Sequence, residues 1–188
     1  ESIDQRTRQI AELDHRIDQA MAPFRSFADL ICSIPGIGRQ TAEVVVAETG
    51  ADMTVFPSPK HLASWAGVCP GSNESAGRAK STRTRPGNPY LKAALGTAAL
   101  SIAATRGSFL AAKYKRLAAR RGGKKALVAI EHTILNAIWT MGNTGAYYDD
   151  PGSDYYLRHD PERVRRNATK QLERLGYTVT LTSTAASA

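Results

Sequence analysis

From Pro70 to Asn88 the chain reads Pro-Gly-Ser-Asn-Glu-Ser-Ala-Gly-Arg-Ala-Lys-Ser-Thr-Arg-Thr-Arg-Pro-Gly-Asn, a run of small hydroxyl residues, glycines and closely spaced cations. These types suit attack on a phosphodiester. A serine hydroxyl is a weak nucleophile at its ordinary pKa, so it needs a proton acceptor and neutralisation of charge on the phosphorus oxygens. Arg78, Lys80, Arg83 and Arg85 supply the neutralisation, and a guanidinium fork matches phosphate geometry. Ser72, Ser75 and Ser81 are the candidate nucleophiles. No histidine lies in this run, so the proton acceptor must come from elsewhere. The same residues would also make a basic arm that rides on DNA without cutting it. Residue types alone do not separate the two.

The charge of the whole chain is concentrated around this run. The 188 residues carry a net +8. Residues 1–70 hold six Lys and Arg against nine Asp and Glu, residues 71–130 hold thirteen against Glu74 alone, and residues 131–188 hold six against seven. The local balances are −3, +12 and −1. A localised positive field favours a polyanion, most simply nucleic acid. A solvated basic face is the simpler alternative, but such a face does not ordinarily exclude acids over so long a stretch.

Other classes fall away. Cys32 and Cys69 are the only cysteines, and His15, His61, His132 and His159 are scattered, so neither a disulfide framework nor a zinc site is expected. No apolar run of about 18 residues suggests a membrane span, and no leader is visible. The expected setting is a bacterial-type cytoplasm, beside the nucleoid. Starting at Glu1 rather than Met is what would be expected of a processed or shortened product.

The elements that must position the basic run read as helices throughout, so the expected fold is all-α. Residues 2–24 form a heptad helix, with Ile3, Ile10, Ile17 and Phe24 seven apart, Leu13 and Ala20 in the second seam, and Arg6 as the exception. A self-associating coiled coil and a helix packed on its own domain would both give that pattern. Over residues 27–50, Phe27, Leu30, Ile31 and Ile34 face one way. Pro35-Gly36-Ile37-Gly38 then turns the chain into a second helix carrying Ala42, Val45 and Val46. This resembles a helix-hairpin-helix element, in which Gly36, Ile37 and Gly38 would clamp a phosphate at a helix N-terminus. An ordinary tight helical turn gives the same residues.

Ser58-Pro59 and Asn88-Pro89 read as cap-then-proline helix starts. Residues 68–87 lose all periodicity and read as one long loop. Residues 88–142 read as three helices: one on Leu91, Leu95 and Ala98, a basic one, and one in phase on Ala126, Ile130, Ile134, Ala137, Ile138 and Met141. The basic one and the turn after it contribute Lys113, Lys115, Arg116, Arg120, Arg121, Lys124 and Lys125, a second polyanion surface. Beyond them lies an extension, 143–188, with a helix after Asp160-Pro161 that Gly176 ends, a short strand over 177–182, and disorder from Ser183. Trp65, Tyr90 and Trp139 read as packing residues. Tyr147-Tyr148-Asp149-Asp150 and Glu131-His132 are discounted as catalytic motifs.

Four blocks carry a family resemblance: Ser33-Ile34-Pro35-Gly36-Ile37-Gly38; Ala63-Ser64-Trp65-Ala66-Gly67-Val68-Cys69-Pro70; Asn73-Glu74-Ser75-Ala76-Gly77-Arg78; and Thr84-Arg85-Pro86-Gly87-Asn88-Pro89-Tyr90-Leu91-Lys92. In order and spacing they resemble the C-terminal domain of the insertion-sequence 110/116/902 transposases and their pilin-gene-inverting relatives, over roughly residues 1–142. The resemblance implies a serine that becomes covalently joined to DNA, and by its place in the Glu-Ser-Ala-Gly-Arg block that serine is Ser75. It implies a coiled coil at 1–25, a transposase C-terminal domain at 26–142, a structured guide RNA, and assembly as homodimer or tetramer. It also implies a RuvC-like domain that this chain lacks. That domain's carboxylates would hold Mg²⁺, leaving no cofactor here and the chain inactive alone. In this reading Arg78 and Lys80 hold the scissile phosphate, while Arg83, Arg85, Asn88 and Lys92 grip duplex backbone. The alternatives are a non-catalytic helix-hairpin-helix DNA-binding module and a structured-RNA-binding protein.

Overall fold

The computed structural model describes residues 2–71, 74–75, 78–79, 81 and 83–182, with residues 74, 75, 78 and 79 described by backbone alone. Ser72 and Lys80 lie outside the described residues, as does the tail from Ser183. The fold is all-α, as expected, with one short β-ribbon.

Helix α1 spans Ser2–Met21 and buries only Met21. Its heptad residues are open: Ile3 is 80% exposed and Ile17 44%. The stripe therefore does not pack on this chain's own core. Beyond Met21, which enters the core, what ties α1 down is ionic. Asp18 pairs with Arg25 at 3.0 Å and with Arg39. Both arginines hold the Asp18 carboxyl below its ordinary range, Arg39 foremost through its hydrogen bond. Exposed pairs of this kind contribute little to stability.

Helices α2 (Arg25–Cys32) and α3 (Arg39–Thr49) pack as a hairpin, turning through Gly36 at φ +87. A Cβ on Gly36 would sit 2.6 Å from Cγ1 of Ile102, so the turn is pressed against the end of helix α5 (Pro89–Ala104). Helix α4 (Pro59–Trp65) starts at its proline, although the Ser58 hydroxyl lies 2.8 Å from His61 Nδ1 instead of capping the helix. Helices α6 (Phe109–Arg121) and α7 (Gly123–Thr144) meet at Gly122, φ +83. Helix α7 is the centre of the bundle and packs on α2, α4, α5 and α6. Ala126, Ile130, Ile134, Leu135, Ile138 and Met141 bury against them because those positions share one face of a 3.6-residue repeat.

Four sequence expectations need correction. The long loop is not irregular throughout. Pro70 and Thr84 form an antiparallel bridge, Gly71 N–H donates to Arg83 O at 2.9 Å, and strands β1 (Glu74–Ser75) and β2 (Arg78–Ala79) pair with Ser75 opposite Arg78. Residues 177–182 form no strand, since no sheet edge is there to pair them. Tyr90 does not pack: it is 70% exposed, one residue off the Leu91–Leu95–Ala98–Ile102 face of α5. Trp65 is 43% exposed and rests tilted on Phe56 rather than entering the core. Trp139 does pack on the core, and its indole N–H donates to Phe56 O at 2.9 Å. The extension adds helix α8 (Tyr155–His159) ahead of α9 (Pro161–Arg174).

Candidate nucleic-acid interface

The ribbon is pinned at its root by two glycines from opposite ends of the basic run. Gly67 has φ +73, and a Cβ there would lie 2.8 Å from Arg85 O and from Gly87 N. A Cβ on Gly87 would strike the Ala66 carbonyl. The two main chains cross at a separation that only glycine permits. Just beyond the crossing, Asn88 caps α5 by accepting the Leu91 N–H at 2.9 Å, while its amide donates to Glu48 at the end of α3. Lys92, one turn into α5, reaches Thr84 Oγ1 at 3.4 Å. The root of the ribbon is thus fixed by backbone, cap and side chain together.

Fixing the root brings it against α6 and α7. Between them lies a cleft of about 890 Å³. Arg83, Lys113, Arg121, Lys124 and Lys125 line it, Val68, Pro70 and Val128 form apolar wall, and among the described residues no acid lines it. Arg121 is well placed at the C-terminal end of α6, where the helix dipole favours a cation. Lys124 and Lys125 are not: they occupy the first turn of α7, whose positive end opposes them. A phosphate bound there would meet both the lysines and the helix end. Burial lowers the Lys113 pKa, and its ammonium donates to Thr133 Oγ1 at 2.9 Å. Burial, with Lys113 beside it, also lowers that of His132, which favours a neutral imidazole on the wall.

The residues singled out in the sequence are distributed as follows. Arg83 joins Lys113, Arg121, Lys124 and Lys125 in one cleft, uniting two surfaces that the sequence kept apart. Lys115 and Arg120 are exposed elsewhere on α6, and Arg116 turns to the other side of that helix, over the ring of Tyr156 at 4.3 Å. Arg85 is exposed at the glycine crossing. Ser75 and Arg78 are register partners on the ribbon. The Ser81 hydroxyl accepts the Arg83 N–H at 3.1 Å in a local turn. Gly36, Ile37 and Gly38 lie at the far end of α5. Fourteen residues separate Asn88 from Ile102, about 21 Å of helix. There the Ile37 side chain is buried and its N–H donates to Ile34 O. Arg39, the first residue of α3, is already met by Asp18 and Glu43.

Two groups that the sequence reading set aside as a catalytic motif stand at the cleft. His132 lines the cleft, and Glu131 is buried behind it near Lys92, with burial raising its pKa and Lys92 partly opposing. Only the helical spacing from the α7 core face hinted at either. Among the described residues no group of three or more His, Cys, Asp or Glu is placed to hold a metal ion, and no helix is long and apolar enough to cross a membrane.

The profile of the Transposase IS116/IS110/IS902 family matches residues 28–115, which include the ribbon and most of α6. The chain is 31% identical over 143 residues to the "Insertion element IS900 uncharacterized 42 kDa protein" of Mycobacterium paratuberculosis, covering 74% of this chain and 35% of that protein. It is 30% identical over 134 residues to the "Insertion element IS110 uncharacterized 43.6 kDa protein" of Streptomyces coelicolor, covering 69% and 32%. It is 41% identical over 69 residues to the "Pilin gene-inverting protein" of Moraxella lacunata, covering 35% and 21%. The chain therefore spans about a third of the insertion-element proteins it matches. Over the segment that carries the ribbon and the start of the cleft, the chain is similar to the IS116/IS110/IS902 transposase family.

Proposed function

We propose that this chain is the DNA-gripping, nucleophile-bearing part of a transposase or site-specific recombinase. The cleft between the ribbon root and α6–α7 takes the sugar-phosphate backbone, and Ser75 attacks a phosphodiester. The observation that carries this reading is that five cations from three separate segments line one cleft, with no acid among its described lining residues. The place of Ser75 directly opposite Arg78 supports it further. In the step itself, Ser75 Oγ loses its proton and forms a bond to phosphorus. One P–O bond to deoxyribose breaks, and the departing oxygen takes a proton. Attack by a hydroxyl of the incoming strand reverses the sequence and rejoins DNA. One phosphoester replaces another each time, so no external energy source is needed.

The basic wall does not suit Mg²⁺, which takes oxygen ligands such as carboxylates. No step is assigned to a metal on this chain. Guidance by a structured RNA and assembly through the α1 stripe belong to the same proposal. The stripe supports assembly because its apolar residues are unburied.

The test uses the whole protein containing this chain, its RNA and a labelled target duplex. Reactions are stopped with denaturant, and label joined covalently to protein is measured. Ser75→Ala is expected to abolish the adduct and keep DNA binding. An adduct that survives Ser75→Ala moves the chemistry to another hydroxyl, Ser72 and Ser81 first. Normal binding without any adduct, in wild type as well, makes the domain a DNA clamp.

A further inference from the structure

The extension after α7 is built onto α6 rather than trailing from it. The Asp150 carboxylate accepts the Phe109 N–H at 2.9 Å, and the Tyr148 N–H donates to Ser33 Oγ at 2.9 Å. The Phe109 ring stacks on Tyr156 (5.7 Å, 25°) and takes Tyr155 edge-on (5.0 Å, 80°), while Tyr155 stacks on His159 (5.4 Å, 10°). Helix α9 then leaves at Asp160, whose carboxylate accepts the Arg163 N–H at 3.1 Å. Between α6, α8 and α9 is a pocket of about 720 Å³. Its walls carry Tyr155 and His159, three cations (Lys113, Arg116 and Arg163) and the amide of Asn167. Its one acid is Asp160, already engaged as the α9 cap.

Two features point to a ligand. Helix α9 buries none of its 14 residues, so it does not complete the core, yet it presents five Arg and Lys against two Glu. Lys113 lines both this pocket and the basic cleft, so the two cavities meet at one cation. Aromatic faces interleaved with cations are the composition that takes unpaired bases, whereas a duplex keeps its bases stacked inside and offers backbone. An amide adds a donor and an acceptor for a base edge.

We infer that this pocket holds unpaired nucleotides of a nucleic-acid strand that continues from the cleft, with a base against the Tyr155–His159 stack and phosphates on Arg116 and Arg163. The inference rests on the reading of the cleft as a backbone site. It extends that reading to strands that open during recombination.

The test measures fluorescence anisotropy of three labelled probes with the 188-residue chain. They are a blunt duplex of about twenty base pairs, the same duplex with a tail of about six thymidines, and the same duplex with a uridine ribonucleotide tail. The better-bound tail distinguishes DNA from RNA as the source. At least one tail is expected to tighten binding about tenfold. His159 and Asn167 are exposed, so His159→Ala and Asn167→Ala leave the fold intact, which circular dichroism and Tm confirm. Both are expected to reduce tailed-duplex affinity to that of the blunt duplex and to leave the blunt duplex unchanged. A tail that adds less than about twofold in wild type overturns the inference, as does a tail advantage that survives both substitutions. If the tails bind and the blunt duplex does not, the pocket stands and the backbone reading of the cleft fails.

Discussion

The double substitution Lys124→Ala with Lys125→Ala tests the cleft most directly. Both lysines are exposed in the first turn of α7, so alanine there removes cations from an unfavourable helix position and leaves the core untouched. Affinity for DNA falls with salt as bound phosphates release counterions, with a log–log slope of about −0.9 per phosphate neutralised. Five cleft cations on five phosphates give a slope of about −4.5, or about a 500-fold loss between about 50 and 200 mM salt. Without the two lysines the slope becomes about −2.7 and the loss about 40-fold. Anisotropy of a labelled duplex across that salt range measures both. The control is Arg6→Ala with Arg8→Ala on α1, which removes the same net charge away from the cleft. A slope that moves by less than about one in the lysine variant, or equally in the control, would refute the assignment of the cleft.

Three further outcomes are expected. Gly67→Ala places a Cβ against Arg85 O at φ +73, whereas Gly50→Ala, at φ +72, meets nothing within 4 Å. Strain at Gly67 of at least about 2 kcal/mol should lower Tm by about 4–8 °C and weaken DNA binding, and calorimetry must show a smaller drop for Gly50→Ala. Burial raises the Glu131 pKa, so its folded-state stabilisation is complete below the ordinary glutamate pKa and is lost as pH rises through the raised value. Glu131→Gln should therefore raise Tm at neutral pH and give no gain at about pH 4 or below; a pH-independent gain contradicts the burial argument. Ile10→Asp and Leu13→Asp on the open stripe of α1 should convert a self-associated chain to monomer in sedimentation equilibrium, and a wild type that stays monomeric at every concentration removes coiled-coil assembly from the proposal.

The helices were legible where side chains act locally. Asn88-Pro89 and Asp160-Pro161 mark true starts because the cap oxygen and the fixed proline φ work within one turn. The α7 core face follows from its spacing alone. The ribbon was not legible, since Glu74, Ser75, Arg78 and Ala79 have no apolar alternation. Its root is set by two glycines twenty residues apart, and their approach is visible only in three dimensions. Tyr177-Thr178-Val179-Thr180-Leu181-Thr182 alternates as a strand should and forms none, because pairing needs a partner edge that local pattern cannot supply. Ser75 was selected through family blocks, while the cleft came from the fold. Arg83 and Lys125 are 42 positions apart, and no local signal brings them together.

The meeting of ribbon and cleft constrains the proposed chemistry. The root is held where Pro70 bridges Thr84, on the cleft wall, and Ser75 is five residues further along. Extended chain spans at most about 3.3–3.6 Å per residue, so the Ser75 backbone lies within about 18 Å of the root. The phosphate attacked must then lie within that reach, plus one side chain, of the root. The turn at Gly36–Gly38 is a further 21 Å or so along α5, outside the cleft, where the neighbouring Arg39 pairs with Asp18 and Glu43. In the proposed reading, grip and attack meet at the ribbon root, which brings Arg83 to the cleft while α6 and α7 supply the other four cations. Opening the glycine crossing should consequently impair both together, whereas Ser75→Ala impairs attack alone.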